Sequence, residues 1–137
     1  MEHLTDDVRV VQLGLFTPAP GSNEVRLRIS KCPACAHATF PAQEWCPACC
    51  DVSMEPTTTG PRGVLRGFTA VNHATPGSRV PAPYAVGTVD FPEGIRVVGL
   101  LTQPSIENLR MGQAVTTVAR PAYEEDGTVL FTYGFQP

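Results

Sequence analysis

All five cysteines of the chain fall in one stretch, KCPACAHATFPAQEWCPACC, residues 31–50. Four of them make two Cys-Pro-Ala-Cys units, Cys32/Cys35 and Cys46/Cys49, with ten residues between the units. A Cys-x-x-Cys turn is tight enough to aim both sulfurs at one ion, and a second such turn closes a tetrahedral site of four thiolates. The proline inside each pair fixes one backbone φ and pre-shapes the turn. Zn2+ suits this donor set because it takes tetrahedral sulfur and carries no redox chemistry. Iron in a rubredoxin-type site would use the same four ligands. A closed site of this kind has no open coordination position, so it contributes folding energy and not catalysis.

Other chemistries for the same residues are weaker. Two disulfides would need an oxidising compartment. The N-terminal MEHLTDDVRV lacks the cationic start and apolar run of a secretory signal, so the expected location is cytoplasmic. A redox Cys-x-x-Cys normally opens a helix in a βαβ setting, and no such pattern surrounds either pair. His37 could replace one thiolate, but with four cysteines so spaced an exposed histidine is the simpler reading. Cys50 could stand in for Cys49 or act as a nucleophile. A nucleophilic thiol needs a base or cationic surroundings, and no Asn or Asp motif is paired with His3 or His73. The expectation for Cys50 is a small, partly buried side chain. No Gly-rich phosphate loop, acid/base carboxylate pair or Ser-His-Asp set is recognisable, and no catalytic residue is nominated.

These cysteines need elements to position them. EVRLRIS (24–30) alternates Val25, Leu27 and Ile29 against Arg26 and Arg28, a half-buried strand leading to Cys32. Residues 4–16 fit a short helix or a strand equally, and 17–23 read as a linker. Behind the cysteines, 51–63 reads as a loop. Five strand-like runs follow at 64–72, 84–91, 95–102, 114–120 and 128–135, rich in Val, Thr, Phe and Leu. Pro92-Glu93-Gly94 and Glu125-Asp126-Gly127 are hairpin turns. Between the third and fourth runs, Ser105 could cap a single helical turn that Gly112 ends. Five strands with that insertion fit a five-stranded Greek-key barrel, the OB-fold, with a sandwich or an SH3-like barrel as alternatives.

Net charge is −3, and the nine arginines and one lysine form no run. The alternative of another class, a nucleic-acid-binding OB protein, would carry a basic stripe, and the absence of one argues against nucleic acid as a partner. No stretch of about 18 apolar residues offers a membrane span. Arg62, Arg66 and Arg79 are either phosphate contacts or a solvated rim. Phe68, Tyr84, Phe131, Tyr133 and Phe135 are either a ligand groove or, at alternating spacing, barrel core. Trp45 is expected to pack the cysteine ribbon against the barrel.

The order of parts carries a resemblance. Cys32 to Cys35, Phe40-Pro41 and Cys46 to Cys49 are followed by GVLRGFTAVNH (63–73), PYAVGTVDFPEGIR (83–96) and Gly112 to Val115. Over roughly residues 25–135 the chain resembles the zinc-ribbon and OB-fold family called domain of unknown function 35. The resemblance implies a mainly β protein in which an N-terminal rubredoxin-like zinc ribbon precedes a five-stranded OB-fold barrel. Its expected divisions are an N-terminal docking segment at 1–24, the ribbon at 25–56 and the OB-fold domain at 57–137. It implies a non-catalytic accessory subunit that binds a thiolase-fold partner in a hetero-oligomer. In such a complex it would help position acyl-CoA, for instance in aromatic-acid or steroid side-chain degradation. A hotdog-fold enoyl-CoA hydratase is the alternative partner. Zn2+ at Cys32, Cys35, Cys46 and Cys49 would be the cofactor, and the coenzyme A thioester a ligand of the complex. Candidate contacts for acyl-CoA or partner are Arg62, Arg66, His73, Arg79 and Tyr84. Ala36 and Cys50 depart from the family's pattern, in which glycine commonly follows each knuckle. The N-terminal helical region is also short for the family.

Overall fold

The computed structural model describes residues 14–18, 23–50, 53–73 and 76–137. Most of the undecided 4–16 segment and part of the 17–23 linker lie outside these residues. Among the described residues nine strands are formed: β1 (Phe16–Pro18), β2 (Val25–Lys31), β3 (Ala38–Thr39), β4 (Glu55–Thr58), β5 (Arg62–Val71), β6 (Tyr84–Asp90), β7 (Arg96–Leu101), β8 (Ala114–Glu125) and β9 (Thr128–Gln136). No helix among the described residues is long and apolar enough to cross a membrane.

β5 to β9 close a barrel in the order β5-β6-β7-β9-β8, with β8 returning to β5. Only β7 and β9 run parallel, pairing Leu100 with Gly134 and Leu101 with Phe135. The last two strands therefore exchange places in the closed ring, which is the Greek-key arrangement of an OB-fold and excludes a sandwich. Alternation builds it: along β6, Ala85, Gly87 and Val89 turn inward while their neighbours are half-exposed. At Asp126-Gly127 both residues take positive φ, 52° and 77°, as a tight two-residue hairpin turn requires. Gly99 must stay small, because a Cβ there would stand 2.7 Å from the Tyr133 ring and 2.8 Å from that of Phe135.

Three stretches differ from their sequence patterns. Residues 104–112 form separate turns and no helical turn: Glu107 N–H donates to Ser105 Oγ (3.2 Å) and Leu109 N–H to the Ile106 carbonyl (3.2 Å). A stretch this short has too few hydrogen bonds to offset helix nucleation, and burying Leu109 and packing Ile106 on the core decides its path instead. β4 lies inside the presumed loop; all four of its side chains are exposed, so no apolar alternation marks it. β8 continues past Arg120 to Glu125, with a register shift between Pro121 and Tyr123 that accommodates the proline, which cannot donate to the ladder.

β2 is the hub of the ribbon, pairing with β1, β3 and β4. Its Leu27 and Ile29 are fully buried in one cluster with Leu65, Val89, Leu101 and Phe135 of the barrel. Ribbon and barrel therefore share a core. Trp45 does not make this join: it is 59 % exposed. Phe40 does, packing edge-on to Tyr133 at 5.5 Å between centroids.

Candidate functional site

The two knuckles are built alike. Cys32 N–H donates to the His37 carbonyl (2.8 Å), and Ala36 N–H closes the first turn onto the Cys32 carbonyl (2.9 Å). Cys50 N–H closes the second onto the Cys46 carbonyl (3.0 Å). The residue behind each pair sits in left-handed conformation, Ala36 at φ 63° and Cys50 at φ 65°. These are the two positions where the sequence lacks the expected glycines, and the turns form regardless. Around them, Ser30 Oγ donates to the Gln43 carbonyl and accepts from its N–H, both at 2.8 Å, which ties the intervening loop to β2. Met54 packs beneath Cys32 and Cys46.

This brings the sulfurs of Cys32, Cys35, Cys46 and Cys49 within 4.8 Å of one another. Cys32 and Cys49 are 3.7 Å apart, Cys35 and Cys46 3.6 Å. An ion bound tetrahedrally at 2.3 Å from each sulfur spaces its ligands by about 3.8 Å, so the cluster fits such an ion. All four are free thiols, not disulfides. No helix among the described residues follows either pair to make it a redox motif. The backbone setting favours the thiolate at Cys32 and Cys46. Backbone N–H groups of Cys49 and Ala48 aimed at Cys46 outweigh its burial and lower it to about 6. A Cys35 N–H similarly lowers Cys32. Cys35 receives the His37 N–H, but the crowding sulfurs of Cys32 and Cys46 prevail and push it up to about 11. A metal cation relieves that crowding. His37 is exposed and outside the cluster. Cys50 is also outside it and exposed, not partly buried, with its sulfur 3.7 Å from the Pro47 carbonyl.

The other candidate residues do not converge on one place. Arg62 begins β5 beside Thr116 and lines a pocket with Glu24 and Gln136. Val71, at the other end of β5, lies roughly 30 Å along the strand from it. Arg66 is committed to Asp90 (3.2 Å), which also holds Arg96 at 2.6 and 3.0 Å. The Arg96 guanidinium, then burial opposed by both arginines' charge, leaves the Asp90 carboxyl below the usual range. Arg96 was legible as a partner, since it directly opposes Asp90 across the β6–β7 hairpin. His73 is exposed just beyond β5. Arg79 bonds Glu125 (3.2 Å) and lies 5.7 Å over the Tyr123 ring. Tyr84 lines a neighbouring pocket with Tyr123 and Tyr133. Arg120, which carried no signal beyond its place in a strand, faces the same pocket as Arg79. Of the aromatics, Phe135 is core, Phe68 and Tyr133 pack against it, and Tyr84 stays half-exposed.

Comparison with known proteins matches both halves of this architecture. A family model described as the ChsH2 rubredoxin-like zinc ribbon domain fits residues 23–53, and one described as the ChsH2 C-terminal OB-fold domain fits residues 57–120. A DUF35 domain-containing scaffold protein of Pyrococcus furiosus is 31% identical over 103 residues, covering 74% of this chain and 76% of the relative. One from Methanothermobacter thermautotrophicus is 29% identical over 111 residues, covering 79% and 84%. A solved structure described as an Ltp2-ChsH2(DUF35) aldolase superposes with a TM-score of 0.65 at 25% identity, covering 82% of this chain and 84% of that one.

Proposed function

This chain belongs to the DUF35 family, and from that membership we propose that it is a non-catalytic scaffold subunit of an acyl-CoA-processing complex. The observation that carries the reading is the match, over most of both chains, to a DUF35 protein whose structure is described together with Ltp2 as an aldolase. The scaffold name of the archaeal relatives points the same way. The partner we assign is a thiolase-fold protein, which keeps the catalytic groups, and the ligand of the joint assembly is a coenzyme A thioester. Both follow from the family resemblance.

In this reading Zn2+ sits on Cys32, Cys35, Cys46 and Cys49 and supplies a fixed tetrahedral staple. The four thiolates hold the two turns together, and Leu27 and Ile29 transmit that rigidity to the barrel. Arg62, Arg66, His73, Arg79 and Tyr84 are proposed contacts for partner or ligand; Tyr84 pairs with Val71 at the end of β5. The test is co-expression with thiolase-fold proteins. Co-elution as a hetero-oligomer, with a rise in melting temperature when coenzyme A is added, is the expected result. A chain that stays alone with every thiolase-fold protein offered, and whose melting is indifferent to coenzyme A, would overturn the proposal.

A further inference from the structure

Two pockets lie side by side where residues 79–81 rest against β8 and β9. One, of about 460 Å3, holds Arg79, Arg120 and Tyr123. The other, of about 380 Å3, is walled by Tyr84, Val98, Tyr123 and Tyr133. They share Val80, Ala122 and Tyr123, so they form one groove with a cationic half and an apolar half.

The apolar half leaves hydrophobic surface in water: Val98 is 59 % exposed although it sits in the middle of β7. Its floor is rigid. Tyr133 O–H donates to the Val98 carbonyl at 2.8 Å, and Gly99 gives the ring room to lie close. The cationic half turns on Arg120. Its Nε donates to the Leu101 carbonyl (2.7 Å) and Nη1 to the Pro121 carbonyl (2.6 Å), which locks the guanidinium in place. It is half-buried, burial lowers its pKa, and no carboxylate among the described residues pairs with it. Glu125 is engaged with Arg79, and Glu124 lines the rim without an ion pair to Arg120. The remaining N–H groups of Arg120 are thus a pre-positioned, under-compensated cation beside an apolar trough. Charge-assisted hydrogen bonds to such a fixed fork are the strong ones.

We propose that this groove binds a small amphipathic anion, with its carboxylate or phosphate on Arg120 and its acyl or aryl portion along Val80, Tyr84, Val98 and Tyr133. This deepens the reading above for the Arg79 and Tyr84 end of the barrel. Its test uses the isolated full-length chain without partner or coenzyme A, so the two can fail separately.

The experiment is an NMR titration of the metal-loaded chain with octanoate, octanol and inorganic phosphate, each up to about 10 mM. Saturable shifts of Tyr84, Tyr123 and Val98 with octanoate are expected, with octanol and phosphate each binding more weakly. Arg120→Gln should weaken octanoate about tenfold or more, as loss of a charged hydrogen-bonded contact does. Thr132→Glu is the second variant. Thr132 directly opposes Arg120, close enough for a carboxylate there to neutralise it, so octanoate should weaken similarly with Arg120 and its backbone bonds retained. If Arg120→Gln fails to fold, Thr132→Glu decides. Absence of saturable octanoate binding, equal affinity for octanol or phosphate, or binding untouched by Thr132→Glu would each overturn the proposal.

Discussion

Leu27→Ala tests whether the ribbon's first strand belongs energetically to the barrel. Leu27 lies five residues before the first metal ligand, yet its side chain is fully buried among barrel residues. Its backbone is held twice by Thr59, which is itself fully buried: Thr59 N–H donates to the Leu27 carbonyl at 2.9 Å, and Leu27 N–H to Thr59 Oγ1 at 3.1 Å. Truncation leaves those bonds intact and removes only packing. For a leucine with no exposed surface that costs about 3 kcal/mol, within the usual 2–5. At this chain length the loss is roughly 10 °C in Tm. Urea unfolding of metal-loaded protein, followed by tyrosine fluorescence from the barrel, would read it, with metal content measured alongside. The expected outcome is a large loss of barrel stability with one metal per chain retained. A loss below about 1 kcal/mol, typical of sites outside a core, would refute the shared core.

Three further outcomes follow from the same geometry. Cys32→Ala should lose the metal, while Cys50→Ala should keep one ion per chain by elemental analysis, since only four sulfurs converge. Ala36→Gly and Cys50→Gly should each raise stability by about 0.5–1 kcal/mol, because a non-glycine residue in left-handed conformation costs about 1–2 kcal/mol and glycine's larger loss of chain freedom on folding offsets about half of the gain; urea midpoints measure this. Asp90→Asn should flatten the acid side of the stability profile. A carboxyl held below its unfolded-state value contributes stability above that value and loses it as pH falls through the lower folded-state one. The variant's stability should therefore change less than the parent's on acidification through that range, with the difference shrinking in high salt.

The cysteine spacing was enough to find the metal site, because a four-thiolate shell is written in local turns. The barrel was nearly as legible, because inward positions alternate with outward ones most cleanly along β6 and the Asp126-Gly127 turn names its own geometry. What alternation does not encode was missed. β4 has no buried face, so nothing in its composition separates it from a loop. Trp45 looked like a core residue by type, but its position between the knuckles leaves it on the surface, and Phe40 reaches the barrel in its place. Arg120 was invisible for the opposite reason. The Leu101 carbonyl that receives its Nε lies on β7, which does not pair with β8, so only the closed barrel order brings the two together.

Cys50 shows how one position can mislead by residue type and be explained by conformation. A fifth cysteine beside four ligands suggests a spare ligand or a nucleophile. Yet Ala36, which has no chemistry at all, occupies the matching place in the first knuckle with nearly the same φ and the same closing bond to the residue four back. The demand at both places is for a left-handed turn, and the identity of the side chain is secondary to it. Because the backbone N–H of Cys50 closes the turn while its sulfur stays outside the cluster, the position is structural through its main chain and open through its side chain. Glycine should therefore serve better than either residue found there, and no metal-binding property should depend on the thiol.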